Sequence, residues 1–208
     1  MTSNTSVPMG TTTIDTCPPD TAGRLRVWDP LVRVFHWSLA AGFATAFIVE
    51  DDLLEVHVLA GYLVLTLIAI RLVWGVIGTR HARFTDFVRG PGAVLAYIKD
   101  ALTFRAPRYL GHNPAGGAMV VALLLAVGAT GLSGLALYGA EEFAGPLAGP
   151  MSGLPESWGE ALEEVHEFLA NATLGLIVLH LVGVAFSSLS HNENLIASMI
   201  SGFKRRED

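Results

Sequence analysis

Residues 166–190 read HEFLANATLGLIVLHLVGVAFSSLS. From Phe168 to Asn192, twenty-five residues pass without an Asp, Glu, Lys or Arg. A bilayer crossing takes about 20 mostly apolar residues as a helix. The stretch therefore predicts one membrane-spanning helix. It carries two ionisable rings, His166 near one end and His180 deeper in. Fourteen helical steps bring a side chain back to within about 40° of the same face, with a rise of about 21 Å. One stripe of this helix thus offers two imidazoles at two depths.

Three more stretches are built alike. Val34–Val49 is uncharged, and Leu31 and Val32 extend it across Arg33, whose side chain can snorkel to the interface. Val56–Thr79 is interrupted only by Arg71, and Tyr109–Ala140 is uncharged throughout. In lipid each span must satisfy its own backbone, so helix is the state expected for all four. The fold class is all-α, an integral membrane four-helix bundle. Composition agrees: 51% of the 208 residues are hydrophobic and 15% charged, against about 25% charged in ordinary soluble domains. A disordered chain, a disulfide scaffold and a typical water-soluble enzyme are excluded. The single cysteine, Cys17, permits no internal disulfide and no Cys-based cluster. A net charge of −6 argues against nucleic-acid binding.

Charge sets the expected orientation. Glu50, Asp51, Asp52 and Glu55 mark the first turn, and Glu141, Glu142, Glu156 and Glu160 the second, with no Lys or Arg in either. All thirteen basic residues lie in the tails, the middle loop or nearby helix ends. The positive-inside rule places both termini and the middle loop of a multi-pass membrane protein in the cytoplasm. Residues 1–23 read as a disordered polar tail without a signal-peptide core. Residues 24–190 form the four-span domain, and 191–208 a cytoplasmic amphipathic segment. Residues 91–104 read as a second amphipathic helix; both pieces suit the headgroup surface.

Ionisable groups inside spans are expensive and point to function. His36 lies near the cytoplasmic start of the first span and His57 near the outer start of the second. Depth pairs His36 with His180 and His57 with His166. Two facing imidazoles at each of two levels suit two b haems, each bis-histidine, in a bundle core. No Cys-x-x-Cys-His is present for covalent attachment. Zinc would need its ligands gathered at one point. A di-iron site would need a second Glu-x-x-His beside Glu163 and His166.

Arg71 falls fourteen residues after His57, on the same face and at the depth of the inner pair. Two roles fit it, a bidentate partner for a haem propionate or an arginine snorkelling to the cytoplasm. Gly61 and Gly183, close to the ligands in sequence, leave room for a flat macrocycle. Gly128, Gly131 and Gly134 suit helix-on-helix packing. His81, His112 and His191 read as solvated or interfacial, with His112 in a turn, Gly111-His112-Asn113-Pro114, that caps the third span.

The motifs RVFHW (33–37), His57-x-x-x-Gly61-Tyr62, RLVWG (71–75), GHNP (111–114) and the tail from Asn194 to Lys204 together resemble the bacterial cytochrome b561 family. That family includes the b-type cytochrome subunits of nickel–iron hydrogenases. The resemblance spans about residues 24–206 and implies a two-haem membrane bundle whose axial ligands match His36, His57, His166 and His180. It also implies electron exchange with quinone or quinol and with periplasmic or membrane-bound partners. The short first turn favours a stand-alone carrier working with a periplasmic c-type cytochrome. The alternatives are a membrane subunit of a hydrogenase or similar oxidoreductase and, in another class, a non-redox scaffold or transporter with structural histidines. Membrane lipid is the expected surrounding, and a homodimer is compatible with the sequence.

Overall fold

The computed structural model describes residues 23–50 and 53–206. The expected polar tail, Cys17, Asp51 and Asp52 lie outside the described residues, apart from Gly23. A short strand β1 (Arg24–Arg26) leads into α1 (Pro30–Val49) and α2 (Leu54–Ile77). A 3-10 turn (Arg80–Ala82), α3 (Phe84–Phe87) and α4 (Pro91–Leu102) make the middle segment. Then follow α5 (Pro114–Glu141), a one-turn α6 (Ala148–Met151) and α7 (Glu156–Ser190). The chain closes with α8 (Leu195–Ser201) and β2 (Phe203–Arg205). Among the described residues α1, α2, α5 and α7 are long and apolar enough to cross a membrane.

Local chemistry sets the helix starts. Asp29 caps α1 by accepting from the Val32 amide at 2.9 Å, with Pro30 in the first turn, where the missing N–H costs nothing. Asn113 does the same for α5 through Gly116, with Pro114 behind it. The α7 helix begins at Glu156, about three turns before the apolar stretch. Charge ends a lipid-facing stretch but not a helix, since Glu, Ala and Leu are good helix formers and acidic residues suit an N-terminus. Glu160, Glu163, Glu164 and Glu167 therefore stand on a helical extension rather than in a loop.

The helices form two tightly packed pairs, α1 with α2 and α5 with α7, joined mainly where α2 meets α5. Val64, Ile68 and Val127 form the central core of that junction, with Leu39 and Leu124 packed around them. The Thr130 and Thr173 hydroxyls meet at 3.0 Å between α5 and α7, both buried. In hydrocarbon such a bond replaces water that is not available. Elsewhere the helices turn leucine, valine and isoleucine outward, Leu72, Val73, Val76 and Ile77 among them. That much exposed apolar surface suits lipid.

Both described chain ends lie at one end of the bundle. β1 pairs antiparallel with β2, Leu25 opposite Lys204. Gly202 ends α8 at φ +90°, a conformation glycine adopts without strain, and its carbonyl accepts from the Val27 and Trp28 amides at 2.9 and 3.1 Å. Glu193 ties this cap to the middle segment through Arg108 at 2.8 Å and Lys204 at 3.5 Å. Lys204 is itself buried over the Trp28 ring.

Candidate cofactor site

The four span histidines meet two by two. The His36 and His180 ring centres are 6.5 Å apart, and those of His57 and His166 are 6.0 Å apart. The spacing has chemical meaning. A metal held by two imidazole nitrogens at about 2.0–2.1 Å, each about 1.1 Å from its ring centre, separates the centres by about 6.3 Å. Direct ring contact can be closer, as for the tilted pair Phe87 and His112 at 4.7 Å. The helices carrying the pairs agree. α7 has few close backbone approaches to α1 and α2, although its histidines face theirs.

The turn-end pair is oriented by its other nitrogens. The Ala46 carbonyl lies 3.0 Å from His57 Nδ1, linking α1 to α2. His166 Nδ1 lies 3.1 Å from the Thr130 carbonyl and 3.0 Å from the Ser133 hydroxyl. A ring that donates from Nδ1 to a carbonyl has its Nε2 lone pair free for a metal, a common second contact of metal-binding histidine. At the terminal end His36 Nδ1 is buried without a partner among the described residues.

Two glycines test the fit of a flat group. A Cβ placed on Gly61 or Gly183 would meet nothing within 4 Å, although both follow a histidine by about one helical turn. Gly134 is different. Its Cβ would stand 2.7 Å from Cε1 of His166, so it gives His166 room to reach its position. Gly131 does the same for Leu65, the helix-on-helix packing expected of this run. The roles of Gly134, Thr130, Ser133 and Ala46 escape the sequence reading. A small residue in a span is a common signal, and the ring it serves sits on another helix.

Arg71 is 3% exposed, so its guanidinium is covered by protein rather than open to water. Its Nη2 donates to the Ala82 carbonyl at 3.0 Å, and the guanidinium lies 5.0 Å from the Phe84 ring centre. Its Nη1 is buried with no partner among the described residues. Gly75 permits this arrangement, because Phe84 packs where its Cβ would be.

His112 corrects the expectation of a solvated ring. It lies between Trp28 at 4.8 Å and Phe87 at 4.7 Å. Burial, then the charges of Arg71, Lys204, His180 and His81, pushes its pKa down to about 3. The cause is long-range, since the link between β1 and α1 and helix α3 supply the rings that cover it. His81 is interfacial as expected, with Nδ1 2.9 Å from Asp86. Among the described residues no three His, Cys, Asp or Glu converge as a metal cluster would require, and the span histidines stand in twos.

Four apolar spans with facing imidazole pairs at two levels make a membrane helical bundle able to hold a cofactor in its core. The family described as prokaryotic cytochrome b561 matches residues 27–202, and the chain belongs to it. It is thus a membrane b-type cytochrome of electron transfer. No curated protein and no solved structure matches the chain.

Proposed function

We propose that this cytochrome is a two-haem wire carrying electrons between quinone and a periplasmic redox partner such as a c-type cytochrome. His36 and His180 hold one b haem, and His57 and His166 the other. The observation that carries this reading is the spacing of the two pairs, 6.5 and 6.0 Å between ring centres at two depths. Bound haem would supply a one-electron iron couple, and the two histidines of a pair would hold it for electron transfer.

The chain's own residues do the rest. Ala46 and Thr130 fix the His57 and His166 rings by their Nδ1 atoms. Arg71, whose Nη1 is buried without a partner among the described residues, would supply that donor to a carboxylate of the haem held at the terminal end. The apolar helices exclude water and so raise the influence of every nearby charge on potential. Both termini face the cytoplasm, as the acidic turns and basic tails require. The acidic end then faces the periplasm of an inner membrane, where its carboxylates steer a basic partner.

The test is haem quantification with a reduced-minus-oxidised spectrum. Two haems per chain are expected. His36→Ala and His180→Ala should each remove the same one, and His57→Ala and His166→Ala the other. A colourless protein, or loss of one haem by both His36→Ala and His57→Ala, would sink the assignment. Retention of both haems by a chain expressed alone separates a stand-alone carrier from an obligate subunit of a larger oxidoreductase.

A further inference from the structure

The segment before α5 fixes one side chain at the terminal end. Asn113 caps α5 through the Gly116 amide at 2.7 Å, and Pro114 follows in the first turn. Gly111 lies so close to His81 that a Cβ there would stand 3.0 Å from its Nδ1. Gly117 lets α5 pass the Phe87 backbone, where a Cβ would stand 2.5 Å from the carbonyl oxygen. Between these contacts His112 is wedged against the rings of Trp28 and Phe87, at 4.8 and 4.7 Å. The ring so fixed has an unmet bond: its Nδ1 is buried with no partner among the described residues.

Arg71 Nη1 is in the same condition. The two groups share one aromatic wall. The Arg71 guanidinium lies 5.0 Å from the Phe84 ring centre, Phe84 lies 5.8 Å from Phe87, and Phe87 adjoins His112. Carboxylates at this end are engaged elsewhere. Asp29 accepts from Val32, Trp74 and Thr79, Asp86 lies 2.9 Å from His81, and Glu193 pairs with Arg108 and Lys204. Burial first, then the charge of Arg71, keeps the His112 ring neutral, so one of its nitrogens carries a proton to donate. A buried donor without an acceptor is costly, and a charged acceptor satisfies it best. Two orphaned donors, one of them cationic, therefore fit a carboxylate from outside the chain. The charge of His180 also acts on His112, which sets the ring near the terminal imidazole pair.

We infer that His112 is a second carboxylate-binding residue of the terminal haem site, donating from Nδ1 to a haem propionate while Arg71 donates from Nη1. The inference rests on the ligation proposed above and extends it to a residue outside the spans. It also ties the haem to Trp28 and Phe87, and so to both segments that close the terminal end.

The test compares haem with haem dimethyl ester, whose capped propionates carry no charge, on the full chain. In His57→Ala only the terminal haem remains, and it should bind there at least tenfold more tightly than the ester. Adding His112→Phe should reduce that preference about tenfold. His112→Asn, whose amide nitrogen stands near the place of Nδ1, should keep most of it. A second reading uses the two-haem chain with carbon-13 in the propionate carboxyls. In the reduced-minus-oxidised infrared spectrum, the labelled bands should move in His112→Phe and stay in His112→Asn. Equal binding of haem and ester, a preference and bands unchanged by His112→Phe, or competition by added inorganic phosphate would each overturn the assignment. A chain that takes up no haem defeats the wire together with this assignment, whereas two haems indifferent to His112→Phe defeat this assignment alone.

Discussion

His166 is held from three sides, by the Thr130 carbonyl, the Ser133 hydroxyl and the bare backbone of Gly134. Gly134→Ala puts a methyl 2.7 Å from Cε1 of the ring, closer than the two carbons can approach. Such overpacking costs about 1–3 kcal/mol, and the variant should melt earlier and lose the haem assigned to His57 and His166. Gly61→Ala makes the contrasting case, because its Cβ meets no protein atom. That variant should keep the apoprotein's helix content and melting temperature while lowering haem per chain; full haem loading would show that the macrocycle does not approach Gly61. Arg71→Gln removes a buried charge-assisted bond to Ala82, a loss of about 1.5–3 kcal/mol. It should also bring haem toward one per chain, with the remainder dependent on His57 and His166. The histidine pairs were legible in the sequence because depth follows from helical rise along a known span. Their Nδ1 contacts were not, because Ala46 and Thr130 contribute backbone atoms that any residue type carries.

At the scale of elements, hydropathy locates all four spans but misplaces one boundary. It begins the last span at Phe168, whereas α7 starts at Glu156, because a helix leaving the bilayer keeps its backbone bonds when its side chains turn acidic. The small elements of the terminal end were legible only as amphipathic pieces. Their packing depends on pairs far apart in sequence, such as Trp28 with His112 and Leu25 with Lys204. This cap should loosen in acid. The folded cap keeps His112 neutral down to about pH 3, while the unfolded chain takes up that proton near 6.5. Stability therefore rises with pH across that window and is lost as pH falls through it. Glu193 acts in the same direction lower down: burial raises its pKa, but Arg108 and Lys204 outweigh burial and hold it below the usual carboxylate range. Asp29 behaves likewise, with burial opposed by Thr79, Val32 and Trp74. Both contributions are present above the unfolded carboxylate pKa and vanish as pH drops through the folded one. The protection factors of the amides of residues 24–28 and 203–205, taken against intrinsic exchange at each pH, should fall below about pH 6, and His112→Phe should flatten the upper part of that profile.

Across the whole molecule, charge is sorted by end. Glu141, Glu142, Glu160, Glu163 and Glu164 crowd one mouth of the bundle, and the basic residues gather toward the other. If the acidic mouth receives a basic c-type cytochrome, the second-order rate of electron exchange should fall steeply as salt shortens the screening length from about 10 Å at 0.1 M to about 3 Å at 1 M. Neutralising Glu160, Glu163 and Glu164 to Gln should lower the rate at low salt and flatten its salt dependence. A rate indifferent to both would leave those residues with a topological role only.

The pairing of β1 with β2 also has a consequence for how the molecule is made. Arg24–Arg26 is translated before the four crossings, and its partner Phe203–Arg205 after them. Since α7 carries one histidine of each pair, neither imidazole pair is complete until the fourth crossing is threaded. On the proposed ligation, maturation waits for that crossing, and a prematurely terminated chain lacking it should emerge without colour.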